Sequence, residues 1–175
     1  YKLNADTIFI EDTKGQAHTA FICSEYIKSN YQNYFSEKPI AFFNGDTVLK
    51  NRNINDLIKD MENSYGLIDS FISEDPKFSF VKINQDNSVI DIEEKVCISK
   101  NATSGLYFFY SALIYMEEFM LGKYMDSIEE IYISYIYKDM IKKNMDIKCF
   151  QDTSPDNTII LGTPEEYTNH LDSNY

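Results

Sequence analysis

The sequence predicts an α/β protein: a three-layer sandwich whose mixed, mostly parallel sheet lies between helices. Three observations carry this. Short apolar runs at residues 7–10 (TIFI) and 39–43 (PIAFF) each lead into turn-forming residues, as buried strands do. Ile54, Leu57, Ile58 and Met61 recur at i, i+3, i+4 and i+7, the spacing of a helix that covers one sheet face. No repeat or low-complexity linker interrupts the chain, and 175 residues with 43% hydrophobic side chains suit one domain with a substantial core.

Taken in order, strand 7–10 is followed by a helix over residues 17–29, where Ala17, Ala20, Phe21, Cys23 and Ile27 approximate helical spacing. Strand 39–43 then runs into Asn44-Gly45-Asp46-Thr47, and the amphipathic helix spans 54–63. Strands are expected at 66–72, 78–83 and 89–93, the last two joined by a turn at Gln85-Asp86-Asn87. A strand at 105–109 precedes a helix over 111–120, and another helix covers 131–143. Short strands at 147–150 and 158–161 flank a loop that contains Pro155. Thr163 caps a terminal helix, with Pro164 in its first turn.

The 14 Tyr and 12 Phe, with no Trp, predict an aromatic core whose tyrosine hydroxyls need partners. A net charge of −12, without any run of Lys or Arg, argues against nucleic acid and anionic membranes as partners. A phosphate-bearing substrate would therefore need a divalent cation. The longest apolar stretch, 106–116, contains Ser111 and is too short to span a bilayer. Cys23, Cys97 and Cys149 are far apart, without a CxxC spacing, which suggests neither a disulfide framework nor a zinc site and fits a reducing cytoplasm. His18 and His170 lie near opposite ends without a nucleophile motif, so a hydrolase triad is not supported. Met116, Met120 and Met125 read as core filling.

Four segments could carry chemistry. Asn44-Gly45-Asp46-Thr47 places a carboxylate just beyond a strand, where open α/β sheets bind ligands and where Gly45 permits close approach; Asp46 capping an ordinary turn explains it equally well. Glu93-Glu94-Lys95 offers a carboxylate for substrate hydroxyls and an ammonium for phosphate, or else a solvated charged turn. Ser104-Gly105-Leu106-Tyr107 lets backbone lie close to a ligand, although a β-bulge accounts for the glycine. Gly15-Gln16 at a helix start can hold an anion or a base edge, or simply join a loop to a helix.

Together, TKGQAHTA at 13–20, FFNGDT at 42–47, EEK at 93–95, SGLYFF at 104–109 and LGTPEE at 161–166 resemble, in order and spacing, the sugar-phosphate nucleotidyltransferases. The resemblance implies a Rossmann-like, glycosyltransferase-A-like sandwich in which a nucleoside triphosphate meets a sugar 1-phosphate and pyrophosphate leaves. The expected product is an NDP-sugar for surface polysaccharide or capsule. By position, Asp46 matches the metal-binding acid for Mg²⁺ and, with Lys95, the catalytic pair. Gly15, Gln16, Asn44 and Gly45 match the nucleotide side. Glu94, Lys95, Ser104, Gly105 and Tyr107 match the sugar and acceptor side.

Two family features are missing. The glycine-rich loop with its Arg and Pro-Lys pair is absent, so the chain is expected to represent residues 1–175 of the central and C-terminal part of one catalytic domain, truncated at the N-terminus and inactive alone. Its free strand edges at 7–10 and 42–43 should lie beside a gap or under another copy, which leaves room for a homo-oligomer. The second metal-binding Asp is also missing: the matching neighbourhoods hold Ser134 and Ile160, with Asp139, Glu129, Glu130 and Asp156 as substitutes. The alternatives are a cytidylyltransferase-like enzyme for a phospho-alcohol such as phosphocholine, its cation held by aromatic rings, and an inactive sugar- or nucleotide-binding domain.

Overall fold

The computed structural model describes residues 5–126 and 129–172. In chain order the elements are α1 (Gln16–Asn30), α2 (Gln32–Phe35), β1 (Ile40–Phe43), β2 (Thr47–Leu49), α3 (Ile54–Asp60), β3 (Gly66–Ile72), β4 (Ser79–Ile83), β5 (Val89–Glu94), β6 (Asn101–Phe109), α4 (Ala112–Leu121), α5 (Ile133–Lys142), β7 (Ile147–Asp152), β8 (Thr158–Ile160) and α6 (Pro164–Asp172), with a 3-10 turn at Tyr124–Asp126. Caps set several starts: the Ser111 hydroxyl accepts from Ile114 N at 3.2 Å, and Thr163 and Glu166 cap reciprocally, Thr163 N donating to Glu166 at 2.9 Å and Glu166 N to Thr163 at 3.2 Å.

The large sheet runs β5-β4-β6-β3-β7, and β1 also pairs with β6. Helices α1, α4 and α5 cover one face, where Ile68, Val81, Ile92 and Phe109 meet Tyr115, Phe119, Ile136 and Tyr137. The other face packs Leu67, Leu106 and Phe108 under Leu57 of α3 and the neighbouring Met61. This is the expected three-layer sandwich with a mixed sheet. The buried hydroxyls find acceptors: Tyr137 donates to Phe108 O and Tyr115 to Ala17 O, each at 2.6 Å. Among the described residues no buried side-chain polar atom lacks a partner. The three cysteines are free thiols, and burial pushes that of Cys149 up to about 12.

Two expectations need correction. The sheet is mixed but not mostly parallel: among its described pairings only β3–β7 is parallel. Parallel neighbours need a long crossover, which the chain makes through α4 and α5, whereas β4 turns straight back into β5 at Asp86-Asn87, with Asn87 at φ 61°. Residues 7–10 form no strand; none of the described strands pairs with them, and Phe9 is 98% exposed. Strand β2 is an addition that the reading of Thr47 as a turn residue concealed.

Candidate active site

Strand β6 organises the site. Strand β3 follows one of its edges from Gly66↔Phe109 to Ile72↔Asn101, so β1 and β4 must share the other. Strand β1 takes Leu106 to Phe109, β4 takes Asn101 and Ala102, and the two part at Thr103-Ser104-Gly105. The end of β1 and the start of β4 therefore meet at one fork, and a cleft of about 400 Å³ opens there.

The fork follows from local chemistry. Between Ile68↔Tyr107 and Ser70↔Thr103 the register shifts, leaving Asp69 opposite Ser104, Gly105 and Leu106, a bulge that turns β6 backbone toward the cleft. Gly105 has φ 86°, and a Cβ there would come within 2.5 Å of Asn44 Nδ2. Gly105→Ala is expected to cost about 1–3 kcal/mol, read as a lowered thermal midpoint; an unchanged midpoint would mean the bulge is not strained. Behind it, fully buried Asp69 accepts Arg52 Nε at 2.7 Å, and Arg52 also pairs with Asp152. Burial raises the Asp69 carboxyl, against the opposing pull of Arg52 and the Ser104 hydroxyl.

Gln16, Asn44, Asp46, Glu94, Lys95, Ser104, Gly105 and Tyr107 all line this cleft. Gln16 donates its amide to Asn44 Oδ1, and Asn44 N to Gly105 O at 3.1 Å, which ties α1, β1 and β6 together. Glu94 is pinned through Oε2 by the hydroxyls of Ser79 and Ser134, the latter at 2.6 Å. Lys95 (φ 56°) donates to Tyr132 Oη at 2.6 Å, and that hydroxyl to Glu130; the Tyr132 contact raises the Lys95 ammonium and keeps it charged. Tyr107 is nearly buried with its hydroxyl 2.9 Å from Thr103, and burial pushes it up to about 12.

Two residues of the expected set are not in the cleft wall. Gly15 (φ 106°) packs against Glu130 and Ile131, where any Cβ would collide with Glu130 Cγ at 2.5 Å. Gly45 is an exposed turn residue with nothing within 4 Å of a Cβ position. Conversely, the wall also contains Lys77, Phe78 and Tyr132, which no motif marked, and Glu166, which lies in LGTPEE but was given no role. Phe78 read only as the start of a strand, Lys77 as the residue before it, and Tyr132 as one of many tyrosines.

Asp46 is exposed, and its carboxylate Oδ2 faces Gly162, where a Cβ would approach to 3.1 Å. Thr47 donates to Oδ1 at 3.3 Å. Among the described residues no group of three or more His, Cys, Asp or Glu side chains converges on a metal site. One open carboxylate beside a space that a side chain would fill suits Mg²⁺ shared with substrate phosphates, since that ion keeps waters and takes only one or two protein carboxylates. Of the substitutes for a second acid, Glu130 lines the cleft, Glu129 lies with it near Gly15, Asp139 is tied to Lys142 and Tyr124, and Asp156 lines a separate cavity. Ile160 sits in the cleft wall opposite Thr47.

No protein-family model and no curated protein matches this chain. Solved structures do. A nucleoside-diphosphate-sugar pyrophosphorylase from Vibrio cholerae RC9 superposes with a TM-score of 0.79 at 27% identity, over 94% of this chain and 67% of that one. A protein described as a glucose-1-phosphate thymidylyltransferase from Bacillus anthracis gives 0.66 at 17% identity, over 93% and 62%. HddC from Yersinia pseudotuberculosis, complexed with GMP-PN, gives 0.62 at 20% identity, over 96% and 66%. The fold is that of the sugar-phosphate nucleotidyltransferases. The chain spans about two thirds of the length of these structures, or slightly less.

Proposed function

We propose that this cleft binds a sugar 1-phosphate beside a nucleoside triphosphate and serves nucleotidyl transfer to make an NDP-sugar. The observation that carries the reading is the fork itself, which brings Asp46, Glu94, Lys95 and the Ser104–Gly105 backbone, far apart in sequence, around one cavity. An oxygen of the acceptor phosphate attacks the α-phosphorus, the bond to the β-phosphate oxygen breaks, and pyrophosphate leaves with that electron pair. Lys95 holds the acceptor phosphate as a point charge, and Glu94, fixed by Ser79 and Ser134, accepts a sugar hydroxyl. Gln16 and Asn44 border the base. Asp46 would hold Mg²⁺, which supplies neutralising charge to the phosphates when bound.

Residues 1–175 act in this reading as the central and C-terminal part of the catalytic domain, in the cytoplasm, where NDP-sugars for capsule or surface polysaccharide are made. This reading leaves the triphosphate cradle to a glycine-rich loop that residues 1–175 do not contain. Among the described residues no helix is long and apolar enough to cross a membrane. A phosphocholine-like acceptor fits this wall less well. A quaternary ammonium needs open ring faces, and here Phe78 and Tyr132 already carry the ammoniums of Lys77 and Lys95, at 5.0 and 4.5 Å from the ring centroids.

The test is pyrophosphate release by the loop-bearing polypeptide, screened with each nucleoside triphosphate against sugar 1-phosphates and phosphocholine. Absence of release with every acceptor tried would sink the reading in favour of a binding domain. Lys95→Ala is expected to raise the acceptor KM about 10- to 100-fold, the loss of one or two charge-assisted contacts, while nucleotide affinity stays unchanged. An effect on the nucleotide alone would reject the assignment.

A further inference from the structure

We propose that Lys77 is a second ligand of the acceptor phosphate, paired with Glu166 until that phosphate arrives. The proposal rests on the nucleotidyltransferase reading and concerns the same cleft. Lys77 and Lys95 stand at one end of the β4–β5 hairpin: Lys95 N donates to Phe78 O at 3.0 Å, and Lys77 is the next residue along. Each ammonium lies over an aromatic ring of the same wall, Lys77 on Phe78 and Lys95 on Tyr132. The wall has four carboxylates, on Asp46, Glu94, Glu130 and Glu166, against these two lysines. A phosphate dianion entering so acidic a site needs more than one cation beside it.

Lys77 is able to leave its partner. It contacts Glu166 and, at 3.4 Å, Asp75, with all three side chains partly exposed to water, where ion pairs are weak and readily exchanged. Glu166 does not depend on Lys77 for its position, because its other oxygen accepts Thr163 N at 2.9 Å in the cap of α6. When the ammonium swings to a phosphate, the carboxylate remains satisfied by the helix start. The Glu166 contact raises Lys77, so it enters the exchange as a full positive charge.

The experiment is a titration of this chain with glucose 1-phosphate, followed by NMR shifts of cleft amides, in the wild type, Lys77→Ala, Lys77→Gln, Glu166→Gln and Lys95→Ala. Lys77→Gln keeps a side chain over Phe78 and stands in should the alanine variant melt early. The two Lys77 variants should weaken binding about tenfold, one charge-assisted contact, and Glu166→Gln, which frees the ammonium, should tighten it. Wild-type affinity in both Lys77 variants, with Lys95→Ala impaired, would overturn this inference and leave the broader reading standing. Equal weakening by Glu166→Gln and Lys77→Ala would also overturn it, since the pair would then be a structural strap. The same loss with unphosphorylated glucose would do so too. No binding of glucose 1-phosphate by the wild type would remove both.

Discussion

If the proposed nucleotidyl transfer is right, Asp46→Asn is expected to lower it about a hundred- to a thousandfold while the protein still folds. The substitution keeps the size of the side chain and removes the one open carboxylate beside Gly162. Stabilising charge on transferring phosphates is the largest catalytic contribution such a site makes, and single preorganised groups are worth about 10²–10³ in rate. Stability should barely change, because Asp46 is exposed and among the described residues only Thr47 donates to its side chain. Pyrophosphate release measured across a Mg²⁺ titration, beside a thermal melt, separates the two effects. Near wild-type turnover from well-folded Asp46→Asn would remove the residue from the mechanism.

Arg52→Met should be the most destabilising exchange in the cleft's foundation, at about 3–5 kcal/mol. Methionine can still cover the Phe150 ring, whose centroid lies 5.2 Å from the guanidinium. It cannot neutralise Asp69, fully buried, or Asp152, nearly so, and it leaves Thr158 without the donor now 3.2 Å away. A urea titration should show a lower midpoint with unchanged slope. Adding Asp69→Asn should recover part of the loss, because the uncompensated charge goes with it. A cost under about 1 kcal/mol in the single variant would show that water reaches Asp69.

Much of this was legible in the sequence because local patterns and global fold agree. Gly66–Ile72 reads as a strand and is one, and Thr163-Pro164 starts a helix with its cap as expected. Asp46, Glu94, Lys95 and Ser104 were marked by residue type at strand ends, and the fork brings them together. What stayed hidden depends on partners distant in sequence. Residues 7–10 have the composition of a strand, but composition supplies no ladder, and none of the described strands pairs with them. Lys77 and Tyr132 enter the wall only because the β4–β5 hairpin and the start of α5 converge there, a tertiary fact without a local signature, and the LGTPEE motif gave Glu166 no place in the cleft. Among the described strands β1 pairs with β6 alone, and half-exposed Phe43 lies on it.

The antiparallel pairing of β2 with β8 bears on the order in which the molecule assembles. Thr47 faces Ile160 across that ladder, Leu161 N donates to Asp46 O at 2.7 Å, and Asn51 donates to Asn157, 106 residues away. Contacts between such remote segments form late, after nearer neighbours have closed their loops. During synthesis Asp46 leaves the ribosome long before the strand that fixes it exists. The Asp46 end of the cleft is thus completed only when β8 docks, and a nascent chain shorter than this cannot hold that carboxylate in place.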